Sequence, residues 1–123
     1  MTAPDLEYCV APPAQPRWLV VCLCAEWCGT CREYRATLRA VAEDHREHAF
    51  AWIDIEDDAE LAGDLDIETF PTLLVLDGRQ VLFYGPVLPG EESLRRLLRA
   101  LAENGPQPTA LDAAVTGLVQ RLR

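Results

Sequence analysis

Trp18-Leu19-Val20-Val21-Cys22-Leu23-Cys24-Ala25-Glu26-Trp27-Cys28-Gly29-Thr30-Cys31 decides how this chain is read. Its first seven residues form a continuous apolar run rich in β formers. The run is short and not amphipathic, which fits a central strand buried on both faces. Just beyond it, Cys28 and Cys31 stand two residues apart where a helical pattern begins. At a helix start, that spacing sets two thiols one turn apart, at the end where backbone N–H groups lack partners. The macrodipole there favours thiolate over thiol. A thiolate with a second thiol in reach can open a disulfide and then resolve the mixed disulfide it makes.

Outward from this stretch, residues 1–16 carry Pro4, Pro12, Pro13 and Pro16 and read as an extended arm with a short strand near 6–10. Downstream, Cys31, Tyr34, Leu38, Val41 and His45 recur at helical spacing over 29–48, with Arg32, Glu33, Arg39, Glu43 and Glu47 opposite. Strands are expected at 50–55, 73–76 and 81–84, with a short helix at 61–65 and an Asp77-Gly78 hairpin signal. Leu94, Leu97, Leu98 and Leu101 mark an amphipathic helix over 91–103. After the break Asn104-Gly105-Pro106-Gln107-Pro108, Thr109 can cap a last helix over 110–122. The first three strands can be joined by helical crossovers, with the hairpin adding an antiparallel edge. The expected organisation is an arm (1–16), one α/β domain (17–104), and a linker with an additional C-terminal helix (105–123).

The chain has 123 residues, half of them hydrophobic and a quarter charged, which suits one globular domain with a real core. Its formal net charge of −9 argues against nucleic acid or an anionic membrane as the main partner. No stretch approaches the ~20 apolar residues of a membrane span, and residues 1–16 lack the basic and apolar regions of a Sec signal. The cytoplasm is the expected compartment. Five cysteines, four of them between positions 22 and 31, do not resemble a secreted disulfide framework and point to redox chemistry or metal.

Each of these residues also has a simpler reading. Cys22 and Cys24 read as small buried hydrophobes on one strand face, with a third reactive thiol at Cys24 as the alternative. Cys9 reads as incidental. A four-cysteine metal or iron–sulfur site is disfavoured because two of the four lie in a straight strand, and no metal is expected. His45 and His48 sit too far along the helix to pair with Cys28. The eight carboxylates between Asp54 and Glu68 read as a solvated face, the sharper reading being selection of basic partners.

With Trp27-Cys28-Gly29-Thr30-Cys31 after a strand and Phe70-Pro71-Thr72 before another, the stretch from 18 to 103 resembles the thioredoxin family. The resemblance implies a thioredoxin-like α/β fold, a central mixed sheet flanked by helices. It implies that Cys28 is the exposed nucleophile and Cys31 the resolving thiol, the two forming a disulfide in turnover. It implies a cis Pro71, with Trp27, Gly29, Thr30, Phe70 and Pro71 forming the substrate-binding surface. Four departures stand out. Thr30 replaces the usual Pro, Cys22 the usual buried Asp, and Trp52 the Lys that pairs with that Asp. The family's first helix is missing, and the C-terminal helix is positioned to fill its space. The function implied is a thiol–disulfide oxidoreductase, a protein-disulfide reductase. It would be monomeric and cofactor-free, recycled by a thioredoxin-reductase or glutathione-type reductant. The alternative is a redox-sensitive interaction module with little turnover.

Overall fold

The computed structural model describes residues 7–24, 29–55, 71–78, 80–106, 116–117 and 119–120. The expected short helix at 61–65 lies outside these residues. Among the described residues, five strands and two long helices run in the order β1 (Glu7–Tyr8), β2 (Leu19–Cys24), α1 (Gly29–Asp44), β3 (Ala49–Asp54), β4 (Thr72–Asp77), β5 (Gln80–Pro86) and α2 (Glu91–Asn104). The strands form one sheet in the order β1-β3-β2-β4-β5, so β2 lies at its centre. Every side chain from Val20 to Cys24 is buried, as a continuous apolar run demands of a central strand.

The sheet is mixed. β2 and β3 are parallel, joined by α1, while β4 runs antiparallel to β2 and β5 antiparallel to β4. The expectation of three crossover-linked strands is corrected here. A helical crossover returns the chain to the far end of the sheet and gives a parallel strand. Thr72, the first residue of β4, instead pairs with Leu23 near the end of β2. The chain therefore enters β4 at the end of the sheet where β2 and β3 finish. One step beyond that pair, β2 ends at Cys24 and β4 is preceded by Pro71. The hairpin turns at Gly78, whose φ of +59° lies in the left-handed region that glycine occupies without steric cost.

Alternation along the strands divides the core into two layers. Val20, Cys22, Cys24, Phe50, Trp52, Leu73 and Val75 face α1 and α2, meeting Cys31, Tyr34, Leu38, Leu94, Leu98 and Leu101. Val21, Leu23, Ile53, Leu74 and Leu76 face the opposite way and pack with Val119. Thr116, Gly117, Val119 and Gln120 are helical, so this part of the expected C-terminal helix docks on its own domain. Glu91 and Glu92 open α2 where the dipole favours acids. Gly105, at φ +75°, closes it by donating its N–H to the Leu101 carbonyl at 3.0 Å. Among the described residues, no helix is long and apolar enough to cross a membrane.

The proline-rich arm supplies an edge strand. β1 pairs antiparallel with β3, and the Cys9 N–H bonds the Phe50 carbonyl at 2.9 Å. Arg35 of α1 pairs with Glu7 and lies over the Trp52 ring, 4.4 Å from its centroid. One side chain thereby joins α1, β1 and β3.

Val119 tests the docking of the C-terminal segment. Val119→Asp buries an unpaired charge and should lower unfolding free energy by at least ~2 kcal/mol in urea titration. Gln120→Asp, on the exposed side, should change it by no more than ~0.5 kcal/mol.

Candidate active site

Three strand ends and the first turn of α1 converge at one end of the sheet. Cys24 ends β2 and Asp54 ends β3, and the two are register partners. In a parallel pair, register partners project from the same face, so Asp54 shares the Cys24 and Trp52 side. Pro71, just before β4, is buried, and its carbonyl accepts the Val87 N–H at 3.0 Å. The next residue, Leu88, is the large apolar side chain left exposed among the described residues. Gly29 opens α1 in solvent, Thr30 is half-buried, and Cys31 follows fully buried. Trp27, Cys28 and Phe70 lie outside the described residues.

Cys31 is bonded to Cys24. Their Cα atoms are 5.8 Å apart, inside the range a disulfide spans without backbone movement. The sequence reading paired Cys31 with Cys28 and took Cys24 first as a buried hydrophobe, with a third reactive thiol as the alternative. For Cys24 the structure corrects that reading: it is fully buried and also covalently engaged. The cause is geometric. The central strand ends under the first turn of α1, so its last face-directed side chain meets the inward side of that turn. A cysteine seven residues before Cys31, on the α1 side of the strand, was the available signal.

Asp54 is a second correction. It belonged to the acidic stretch read as a solvated face, yet it is only 5% exposed. As the last residue of a strand buried along its whole length, it is drawn into the same end of the core. Thr72, the first residue of β4, is buried at this end too.

Two of the positions that depart from the family pattern are neighbours, with Cys22 in register with Trp52. Burial pushes the Cys22 thiol far above the usual thiol range, and nearby Cys9 adds to the shift while Arg35 opposes it. Cys22 stays protonated at neutral pH and accepts no proton from a neighbour. Trp52 is buried beneath the Arg35 guanidinium, and its Nε1 has no hydrogen-bond partner among the described residues. An apolar pair thus stands where the family places a charged one, and the cost of a buried ion pair is avoided. Cys9, half-buried at the sheet edge, has its thiol pushed up to about 11 by burial, against the attraction of Arg35.

The other titratable cluster follows α1. His45 Nδ1 and His48 Nε2 each lie 3.6 Å from a Glu47 oxygen, and the three ligand atoms fall within 4.8 Å of one another. Imidazole and carboxylate are donors a divalent metal accepts. Arg17, Arg95 and Arg99 line the adjoining hollow and place positive charge against any cation there. Arg95 also ties α2 to the end of α1 through Asp44 at 2.7 Å. Trp18 stacks on His48 with ring centroids 4.5 Å apart.

Two measurements follow from these environments. Native protein at pH 8 should hold Cys9 as thiolate in only about a thousandth of molecules, and Cys22 in still fewer. Both should react with iodoacetamide far more slowly than they do in urea, which thiol counting over time will show. The second concerns His48, whose pKa is lowered by burial, with His45 and Arg17 adding to the shift and Glu47 opposing it. The unfolded chain therefore takes up the proton first as pH falls. The resulting stability is present above about pH 6.5 and lost as pH drops through the lower folded value. Thermal melts between pH 7 and 5 should show a falling Tm, with the decline shallower in His48→Gln.

The family model for thioredoxin matches residues 9–101. Putative thioredoxin 2 of Streptomyces coelicolor is 32% identical over 62 residues, covering 50% of this chain and 46% of the relative. The mitochondrial thioredoxin of Bos taurus is 29% identical over 99 residues, covering 80% of this chain and 58% of the relative. The chain thus spans about half the length of these curated relatives. Among solved structures, Fasciola hepatica thioredoxin superposes with a TM-score of 0.61 at 26% identity, over 69% of this chain and 81% of that one. The thioredoxin f2 complex with ferredoxin:thioredoxin reductase gives a TM-score of 0.61 at 22% identity, over 72% of this chain and 81% of that one, a likeness of fold. With its sheet order, with Cys31 and Pro71 at the same end of the sheet, and with a family match running from residue 9 into α2, the chain belongs to the thioredoxin family.

Proposed function

We propose that this protein is a thiol–disulfide oxidoreductase that reduces protein disulfides through Cys28 and Cys31. The observation that carries the reading is Cys31 itself. It sits in the first turn of a long helix, at the end of the sheet where Pro71 precedes β4, with its sulfur already engaged in a disulfide. A sulfur so placed is competent to be attacked and to leave, because the helix start stabilises the thiolate.

In this reading the Cys28 thiolate attacks one sulfur of a substrate disulfide, forming a mixed disulfide and expelling a substrate thiolate. The Cys31 thiolate then attacks the Cys28 sulfur and expels the second substrate thiol, leaving a Cys28–Cys31 disulfide. Two electrons pass from protein to substrate. A thioredoxin-reductase or glutathione-type reductant returns them, and no cofactor takes part. Trp27, Gly29, Thr30, Phe70 and Pro71 line the docking surface for an extended substrate segment, and exposed Leu88 adds apolar contact beside Pro71. The protein works as a monomer in the cytoplasm.

One observation favours a second reading, a redox-sensitive interaction module with slow turnover. The Cys22–Trp52 pair offers Cys31 none of the proton-accepting help that an Asp would. Among the described residues, Asp54 is a buried carboxylate at this end of the core, and it stands level with Cys24.

Insulin reduction with dithiothreitol decides between them. Wild type should exceed Cys28→Ser and Cys31→Ser by at least ~100-fold, as expected when an attacking or resolving sulfur is lost. Equal rates would overturn the reductase reading. Covalent capture of many proteins by Cys31→Ser would support it, and non-covalent capture of one partner that survives Cys28→Ser would favour the module.

A further inference from the structure

The Cys24–Cys31 bond gives Cys31 a partner that the reductase cycle does not use. A sulfur forms one disulfide at a time. Whenever Cys24 holds Cys31, Cys28 is left as a thiol, and whenever Cys28 holds Cys31, Cys24 is. We infer that Cys24 is a third redox-active cysteine of this site, competing with Cys28 for Cys31, so that the oxidised protein exists as two interconverting disulfide isomers. This rests on the proposed function for the role of Cys28.

The exchange balances without any added oxidant or reductant. The Cys28 thiolate attacks the Cys31 sulfur of the Cys24–Cys31 disulfide. The Cys28–Cys31 bond forms, the Cys24–Cys31 bond breaks, and the electron pair leaves on Cys24, which takes up the proton that Cys28 gave up. Oxidation state is unchanged. The two electrons lost in creating either isomer went to the substrate disulfide.

Three observations support the assignment. Cys24 and Cys31 are both fully buried, so this isomer keeps its disulfide out of reach of large reductants. Their positions are set by regular structure, the end of the central strand and the first turn of α1, and not by a loop. Buried Asp54 stands level with Cys24 on the same sheet face, a polar group at the strand end where the Cys24 thiol is released. Cys22 is buried on the same strand face but is a free thiol, so burial alone does not produce the bond.

The consequence for activity is specific. Oxidised protein in the Cys24–Cys31 isomer still presents Cys28 as a nucleophile, but its resolving sulfur is occupied. Such a molecule opens a substrate disulfide and holds it as a mixed disulfide until a substrate thiol attacks back. That outcome rearranges disulfides without net reduction.

Disulfide mapping tests this. Wild-type protein is oxidised with the cyclic disulfide of dithiothreitol at pH 7 and quenched in acid. Free thiols are blocked with N-ethylmaleimide in denaturant, and the rest are reduced and labelled with iodoacetamide. The chain has no Lys, so trypsin cuts at Arg17 and Arg32 and leaves Cys22, Cys24, Cys28 and Cys31 on one peptide for tandem mass spectrometry. At least about a tenth of oxidised peptides should carry maleimide on Cys28 and iodoacetamide label on Cys24 and Cys31, the share expected when two disulfides are close in stability. Labelling of Cys28 and Cys31 alone would overturn the inference. The Cys28→Ser variant provides a separate check. It should lose two titratable thiols on oxidation by closing Cys24–Cys31, and retention of all of them would also overturn it. Failure of wild type in insulin reduction with both isomers present would instead overturn the reductase reading.

Discussion

The central strand has no free face. From Val20 to Cys24 its side chains are sealed between α1 and α2 on one side and the Val119 layer on the other. Removing that apolar surface from water is the main source of stability in a domain of this size. It also fixes where the chemistry happens. A strand pinned on both faces cannot slide by one residue without exchanging its two sets of side chains. Its last residue is therefore held at a defined height under the first turn of α1. The parallel β3 and antiparallel β4 are registered against it, so Asp54 and Pro71 reach the same end.

Much of this was legible in the sequence because the relevant signals are local. The apolar run from Trp18 to Cys24, the helical spacing from Cys31 to Val41 and the leucine stripe of α2 each follow from side-chain periodicity. Gly78 and Gly105 punctuate the chain where a positive φ is required. The direction of β4 was not legible. It depends on which end of the sheet the chain enters, and no property of residues 72–77 encodes that. The burial of Asp54 was hidden for a related reason. Its neighbours in sequence are acidic, whereas its neighbours in space are strand ends.

At the site, the cysteine spacing identified Cys31 as a redox sulfur with Cys28 as its partner, a third reactive thiol at Cys24 being the alternative. The Cys24 bond crosses the strand-to-helix turn, so it is fixed only when strand end and helix start are placed in three dimensions. The replacement of the family's Asp and Lys by Cys22 and Trp52 was readable residue by residue. The structure adds that the two are register partners, which makes their joint change one substitution in physical terms. Tyr34, whose buried hydroxyl lacks a partner among the described residues, completes the apolar lining beneath the site.

Arg35 has a role beyond the ion pair it makes. β1 contributes two register pairs, too few to hold a strand in place unaided. The guanidinium that lies over Trp52 and meets Glu7 fastens this edge from above. Loss of that contact would favour local opening of this edge, against the Cys9 N–H bond to the Phe50 carbonyl and the packing of Cys9 on the core. Amide hydrogens along the outer side of β3 would then exchange through this opening. The bared backbone of β3 would offer an unpaired edge to a second copy of the chain, the usual route to edge-to-edge aggregation. A single arginine beside Cys9 thus helps cover an edge that the two register pairs of β1 hold only lightly.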